Sequence, residues 1–138
     1  MREVKAVLCK GGSMEQNVVV LTCMDKRFHR RIESVVRTKL GGKDFYFIAV
    51  AGAGQAFIHD GRRIIENGIK LARPGLLIVV EHEDCAAYGG STAFKTKEEE
   101  RTKHKYMVED LKNVCARLFP TMTVEGYWAM LDGATVPF

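Results

Sequence analysis

No stretch of the 138-residue sequence is apolar for long enough to cross a bilayer; the longest runs, Val18 to Leu21 and Leu76 to Val80, are strand-sized. No targeting segment is expected either, because Met1-Arg2-Glu3-Val4-Lys5 carries charge where a signal peptide needs an apolar core. There is no basic stripe. Lys and Arg are scattered among Asp and Glu for a formal net charge of +4, so neither nucleic acid nor membrane is expected as a partner. Internal repeats are absent, and 46% hydrophobic against 28% charged residues excludes a disordered chain. The four cysteines come without secretory context, which predicts a reducing, cytoplasmic setting where cysteine serves metal, catalysis or packing.

What is present alternates. The length suits a single domain, 1–138, with a short leader over 1–15 set off by Gly11-Gly12. Val18-Val19-Val20-Leu21-Thr22 reads as a strand buried on both faces. Phe28, Ile32, Val35, Val36 and Leu40 follow at helical spacing, with Asp25 available as a cap, and Gly41-Gly42 ends the helix. Phe45 to Val50 is a second strand, closed by Ala51-Gly52-Ala53-Gly54. Asp60 to Arg73 predicts a helix with Ile64, Ile65, Ile69 and Ala72 inward and Pro74-Gly75 as its stop. Leu76 to Val80 is a third strand. A long helix spans about Lys97 to Phe119, with Met107, Leu111, Val114, Cys115 and Leu118 on one face, and Thr121 to Met130 is a last strand. Strands alternating with helices predict an α/β fold, a three-layer sandwich around a mainly parallel central β-sheet.

In open α/β sheets, sites form where loops leave the carboxyl ends of strands. The first strand runs into Cys23-Met24-Asp25-Lys26-Arg27 and the third into Glu81-His82-Glu83-Asp84-Cys85. If those strands are neighbours, Cys23, His82 and Cys85 converge on one edge. Two cysteines and a histidine are the set expected when Zn²⁺ keeps a fourth position open for water, and no fourth protein ligand is on offer. Taken singly, each fragment is more ordinary: cysteine is often merely buried, and Asp25 and Arg27 read as well as a helix cap and a surface charge.

Cys23-x-Asp25-x-Arg27, followed 59 positions after the cysteine by His82-x-x-Cys85, resembles the β-class carbonic anhydrase family. The resemblance runs from about Val18 to Tyr88, and more loosely through the last helix and strand. It implies zinc on Cys23, His82 and Cys85, and an Asp25–Arg27 dyad in which the arginine holds the aspartate off the metal so that water can bind. It further implies reversible hydration of carbon dioxide to bicarbonate by zinc-bound hydroxide, a carbonate dehydratase (lyase) activity, and at least a homodimer. Departures from the family pattern bear on substrate more than on metal. Lys26 stands where Ser is usual, Ala86 where Gly is usual, and Ala49-Val50-Ala51-Gly52 where an Arg-Asn pair is common. Gln16 lies near the position of a family glutamine that helps hold substrate.

Three other functions compete with hydration. The same centre could hydrolyse a related linear molecule such as carbonyl sulfide or carbon disulfide, or the chain could bind zinc without catalysis. A thiol enzyme using Cys23 is the fourth reading, but a phosphatase loop needs Arg six positions after the cysteine, where His29 stands. Ala51-Gly52-Ala53-Gly54-Gln55 lacks the full dinucleotide-loop pattern and reads as tight packing beside the site. Cys115 reads as core. His29, His59 and His104 read as surface histidines that could shuttle protons, the run from Lys95 to Lys105 as a solvated helix start, and Cys9 has no reading.

Overall fold

The computed structural model describes residues 16–138; the leader with Cys9 and Gly11-Gly12 lies outside the described residues. Five strands form one sheet: β1 (Val18–Thr22), β2 (Tyr46–Ala49), β3 (Leu76–His82), β4 (Thr123–Ala129) and β5 (Thr135–Pro137), in the order β2-β1-β3-β4-β5. All neighbours run parallel except β4 and β5. Among the described residues, four α-helices accompany them: α1 (His29–Lys39), α2 (Gly54–Ile58), α3 (Arg62–Ala72) and α4 (Lys97–Leu118).

The pleat of β1 and β3 sorts their side chains into two cores. Val19, Leu21, Leu77 and Val79 pack with Phe57, Ile65, Ile69, Val108, Leu111 and Cys115, so α2, α3 and α4 cover one face. Val18, Val20, Ile78 and Val80 pack with Phe28, Ile32 and Val36, so α1 covers the other. This is the expected three-layer α/β arrangement, and it leaves the carboxyl ends of β1 and β3 side by side. No helix among the described residues is long and apolar enough to cross a membrane.

Local chemistry fixes the element ends. Thr96 Oγ1 accepts the Glu99 amide at 3.0 Å, and Glu99 Oε1 accepts the Lys95 amide at 3.0 Å, which together start α4. Arg73 ends α3 in the left-handed conformation, immediately before Pro74.

Several expectations are corrected. Asp25 does not cap α1: Phe28 occupies that position without a side-chain bond, while the Asp25 carboxylate is taken by Arg27. Ile64 is 73% exposed, because the buried stripe of α3 is centred on Ile65, Ile69 and Ala72, about 100° further round the helix. Leu118 is exposed in the last turn of α4. The helix α2 begins inside what reads as a glycine loop, and β5 is too short to show a period. Gln16 sits against Gly75 at the amino end of β3, the opposite end of the strands from Cys23.

Candidate metal centre

Because β1 and β3 pair with Thr22 opposite Val80, the residue after β1 falls beside the last residues of β3. The strand β3 continues two residues beyond its apolar run, so His82 lies on the strand itself, opposite Ala129 of β4. Cys23, His82 and Cys85 are all buried, and their donor atoms lie within 4.8 Å of one another. They are the one such group among the described residues. The two sulfurs are 3.9 Å apart, close to the roughly 3.8 Å that two Zn–S bonds of about 2.3 Å span at a tetrahedral angle.

The histidine is oriented for a metal. Its Nδ1 donates to the Glu83 carbonyl at 2.7 Å, which leaves the Nε2 lone pair free, and Phe28 packs against the ring at 4.4 Å. Nε2 is buried without a hydrogen-bond partner. An orphaned acceptor facing two thiols is the setting a divalent cation satisfies.

The cysteines are a coupled pair. Donation from Cys85 lowers the Cys23 thiol well below its ordinary value against the opposing effect of burial, with the Gly52 amide assisting. Cys85 is pushed up by its bond to Cys23 and by burial. The two sulfurs share a hydrogen bond at 3.9 Å, and a cation held by both would displace their thiol protons. The Gly52 N–H points at Cys23 Sγ from 3.5 Å, so the glycine turn does pack beside the site.

Asp25 and Arg27 lie at the open side of this triad. Arg27 Nη2 meets Asp25 Oδ2 at 2.7 Å and Nε meets Oδ1 at 3.1 Å, a two-pronged pair. That pairing holds the Asp25 carboxyl down to about 2, and Asp25 Oδ2 stays 3.9 Å from His82 Nε2. A second carboxylate shares the guanidinium: Arg27 Nη1 reaches Asp84 Oδ2 at 3.2 Å, and Nη2 reaches the Asp84 carbonyl at 3.0 Å. Asp84 is itself held by the Ser91 amide at 2.8 Å and donates its own amide to the buried Glu100 at 2.7 Å.

The structure thus brings together all five residues singled out in the sequence. His29 is half-buried with Nε2 3.3 Å from the Cys23 carbonyl, His59 is exposed, and Cys115 is core as expected. His104 is corrected: it is fully buried, and with Glu100 it shows that the Lys95 to Lys105 run is not simply solvated. Glu81 and Tyr88, also near the site, were missed. The available signal was a glutamate directly continuing an apolar strand, where a charge needs a buried partner.

A family model described as "Putative carbonic anhydrase" matches residues 13–136. A search of curated protein sequences finds no match. Among solved structures, a β-carbonic anhydrase of Aspergillus fumigatus, CafD, aligns with TM-score 0.62 at 10% identity, covering 91% of this chain and 91% of that one. A carbonic anhydrase of Streptococcus mutans aligns with TM-score 0.57 at 18% identity, covering 92% and 87%. A tetrameric β-carbonic anhydrase of Sordaria macrospora aligns with TM-score 0.52 at 13% identity, covering 93% and 83%.

Proposed function

The chain belongs to the carbonic anhydrase family whose model spans residues 13–136, and from that premise we propose that it hydrates carbon dioxide reversibly to bicarbonate at a zinc centre. The observation that carries this reading is the buried group of Cys23, His82 and Cys85, with the Asp25–Arg27 pair at its edge. Cys23 and Cys85 would hold the metal as thiolates and His82 through Nε2. When bound, zinc supplies a Lewis-acidic fourth position at which water is acidified to the hydroxide nucleophile.

The remaining work falls to the chain. Asp25, kept ionised by Arg27, offers Oδ2 as the acceptor for a proton of the attacking water and so fixes its orientation. Arg27 keeps that carboxylate in place, and Asp84 keeps Arg27 in place. The buried Phe28 ring packs on His82 and shields that side of the triad from solvent.

We extend two further properties to this chain. Free thiols at Cys23, Cys85 and Cys115 fit a reducing compartment such as the cytoplasm. Homo-oligomerisation is proposed by analogy with the tetrameric Sordaria protein, and Tyr46 and Phe47 on the edge strand β2 are exposed apolar residues that a second copy would cover.

Stopped-flow hydration of carbon dioxide by zinc-loaded protein tests the proposal. Two thiolates leave little net charge on the metal, so activity should be low near neutrality and rise from about pH 6.5 to about pH 9. A rate no higher than the uncatalysed one across that range, with zinc present, would refute it.

A further inference from the structure

We propose that Glu81 is a positioning residue of the metal centre, tying the turn that faces Cys23 and the loop that carries Cys85 to helix α4. The inference rests on reading Cys23, His82 and Cys85 as a metal centre.

Successive residues of a strand point to opposite faces. His82 points to the α1 face, where it meets Phe28, and Glu81 points to the other. There its carboxylate is 2% exposed and collects three donors. Oε2 accepts the Gly54 amide at 2.9 Å, while Oε1 accepts the Tyr88 hydroxyl at 2.8 Å and His104 Nδ1 at 2.6 Å. Tyr88 stacks on His104 at 3.7 Å, and Trp128 closes the ring cluster at 4.8 Å from His104.

Two of the three bonds lead back to a sulfur, and the third, from His104, ties them to α4. Gly54 ends the turn in which Gly52 presents its N–H to Cys23, and that turn holds Gly52 and Ala53 at positive φ, a conformation that needs anchoring. A Cβ on Gly54 would come within 3.2 Å of Glu81 Oε2, so the close approach also depends on glycine. Tyr88 lies in the short helical turn Ala86–Tyr88 directly after Cys85, and its amide bonds the Cys85 carbonyl at 3.0 Å. One buried carboxylate therefore braces the surroundings of both cysteines. Stability alone is a weak reason to keep such a group, since apolar replacements of buried ion pairs are often neutral or stabilising.

The test compares wild type with Glu81→Gln, Tyr88→Phe and, as a control for stability alone, Cys115→Ala. Zinc affinity is measured by competition with a chromophoric chelator, and coordination by the thiolate charge-transfer and d–d bands of the Co²⁺-loaded proteins. Glutamine keeps the size of Glu81 but turns an amide N–H₂ toward at least one of the three donors. Glu81→Gln should lower zinc affinity about 10- to 100-fold and shift the cobalt bands. Tyr88→Phe should move both in the same direction by less, and Cys115→Ala should move neither. Should Glu81→Gln fail to fold, Tyr88→Phe decides by the same readouts. Wild-type affinity and an unchanged cobalt spectrum in the folded variants, with only thermal stability reduced, would overturn the proposal. Absence of the thiolate–cobalt band in wild type would instead overturn the metal-centre reading beneath it.

Discussion

Asp25 and Arg27 stand two positions apart, and the backbone between them is turned so that the Arg27 amide also donates to Asp25 Oδ1, at 2.9 Å. The pair is therefore locked both at the main chain and at the guanidinium. Removing the guanidinium leaves a carboxylate 3.9 Å from His82 Nε2 held only by the main-chain amide of position 27. In the zinc-loaded Arg27→Ala protein, Asp25 should turn to the metal's fourth position. Zinc content should stay normal while hydration falls roughly 100-fold. A crystal structure checks the first point and stopped-flow the second; Asp25 still turned away from the metal, with activity intact, would reject the role given to Arg27. Lys26, between the two, is exposed, so the departure from serine there does not touch the pairing.

The turn packed beside the site is short and strained, whereas the strands and helices that build the core are regular. Gly52 sits at φ +84°, and a Cβ there would meet Gln55 Oε1 at 2.9 Å and the Ala87 methyl at 3.0 Å. Gly52→Ala should destabilise the fold by about 1–3 kcal/mol, read from urea midpoints. An unchanged midpoint would mean that the turn is not tightly held. In the regular helix α4, Cys115 is fully buried, and burial, aided by the Glu66 charge, pushes its thiol from 9.0 up to about 11. A folded-state value above the unfolded one gives stability that is complete below pH 9 and lost as pH rises through 11. Wild type should therefore lose stability between about pH 9 and pH 11 relative to Cys115→Ala, again by urea midpoints. Parallel curves would show that the thiol does not ionise on unfolding. The same division governs what could be read in the sequence. The strands β1 and β3 and the helix α4 show their period over enough residues to be placed. The helix α2 and the strand β5 do not, and Ile64 fell on the wrong side because one residue of phase on α3 is about 100°.

At the scale of the whole molecule, the metal centre exists because two strands far apart in sequence are neighbours in the sheet. That much was legible: a cysteine and a His-x-x-Cys at two strand ends need only adjacency of β1 and β3 to converge, and the sheet order supplies it. The second carboxylate on Arg27 and the Glu81–His104–Tyr88 cluster were not legible. They depend on how α4 docks on the sheet and on which face each residue of β3 takes; a glutamate continuing an apolar strand signals a buried charge but does not name its partners. His104 reads as a surface histidine until α4 lays it against Trp128. The direct test of the whole account is X-ray absorption at the zinc edge of the purified, zinc-loaded protein, with the metal counted per chain. The account predicts one zinc with two sulfurs at about 2.3 Å and two nitrogen or oxygen neighbours at about 2.0–2.1 Å, and loss of that metal in Cys85→Ser. No stoichiometric zinc, or a shell without sulfur, would contradict it.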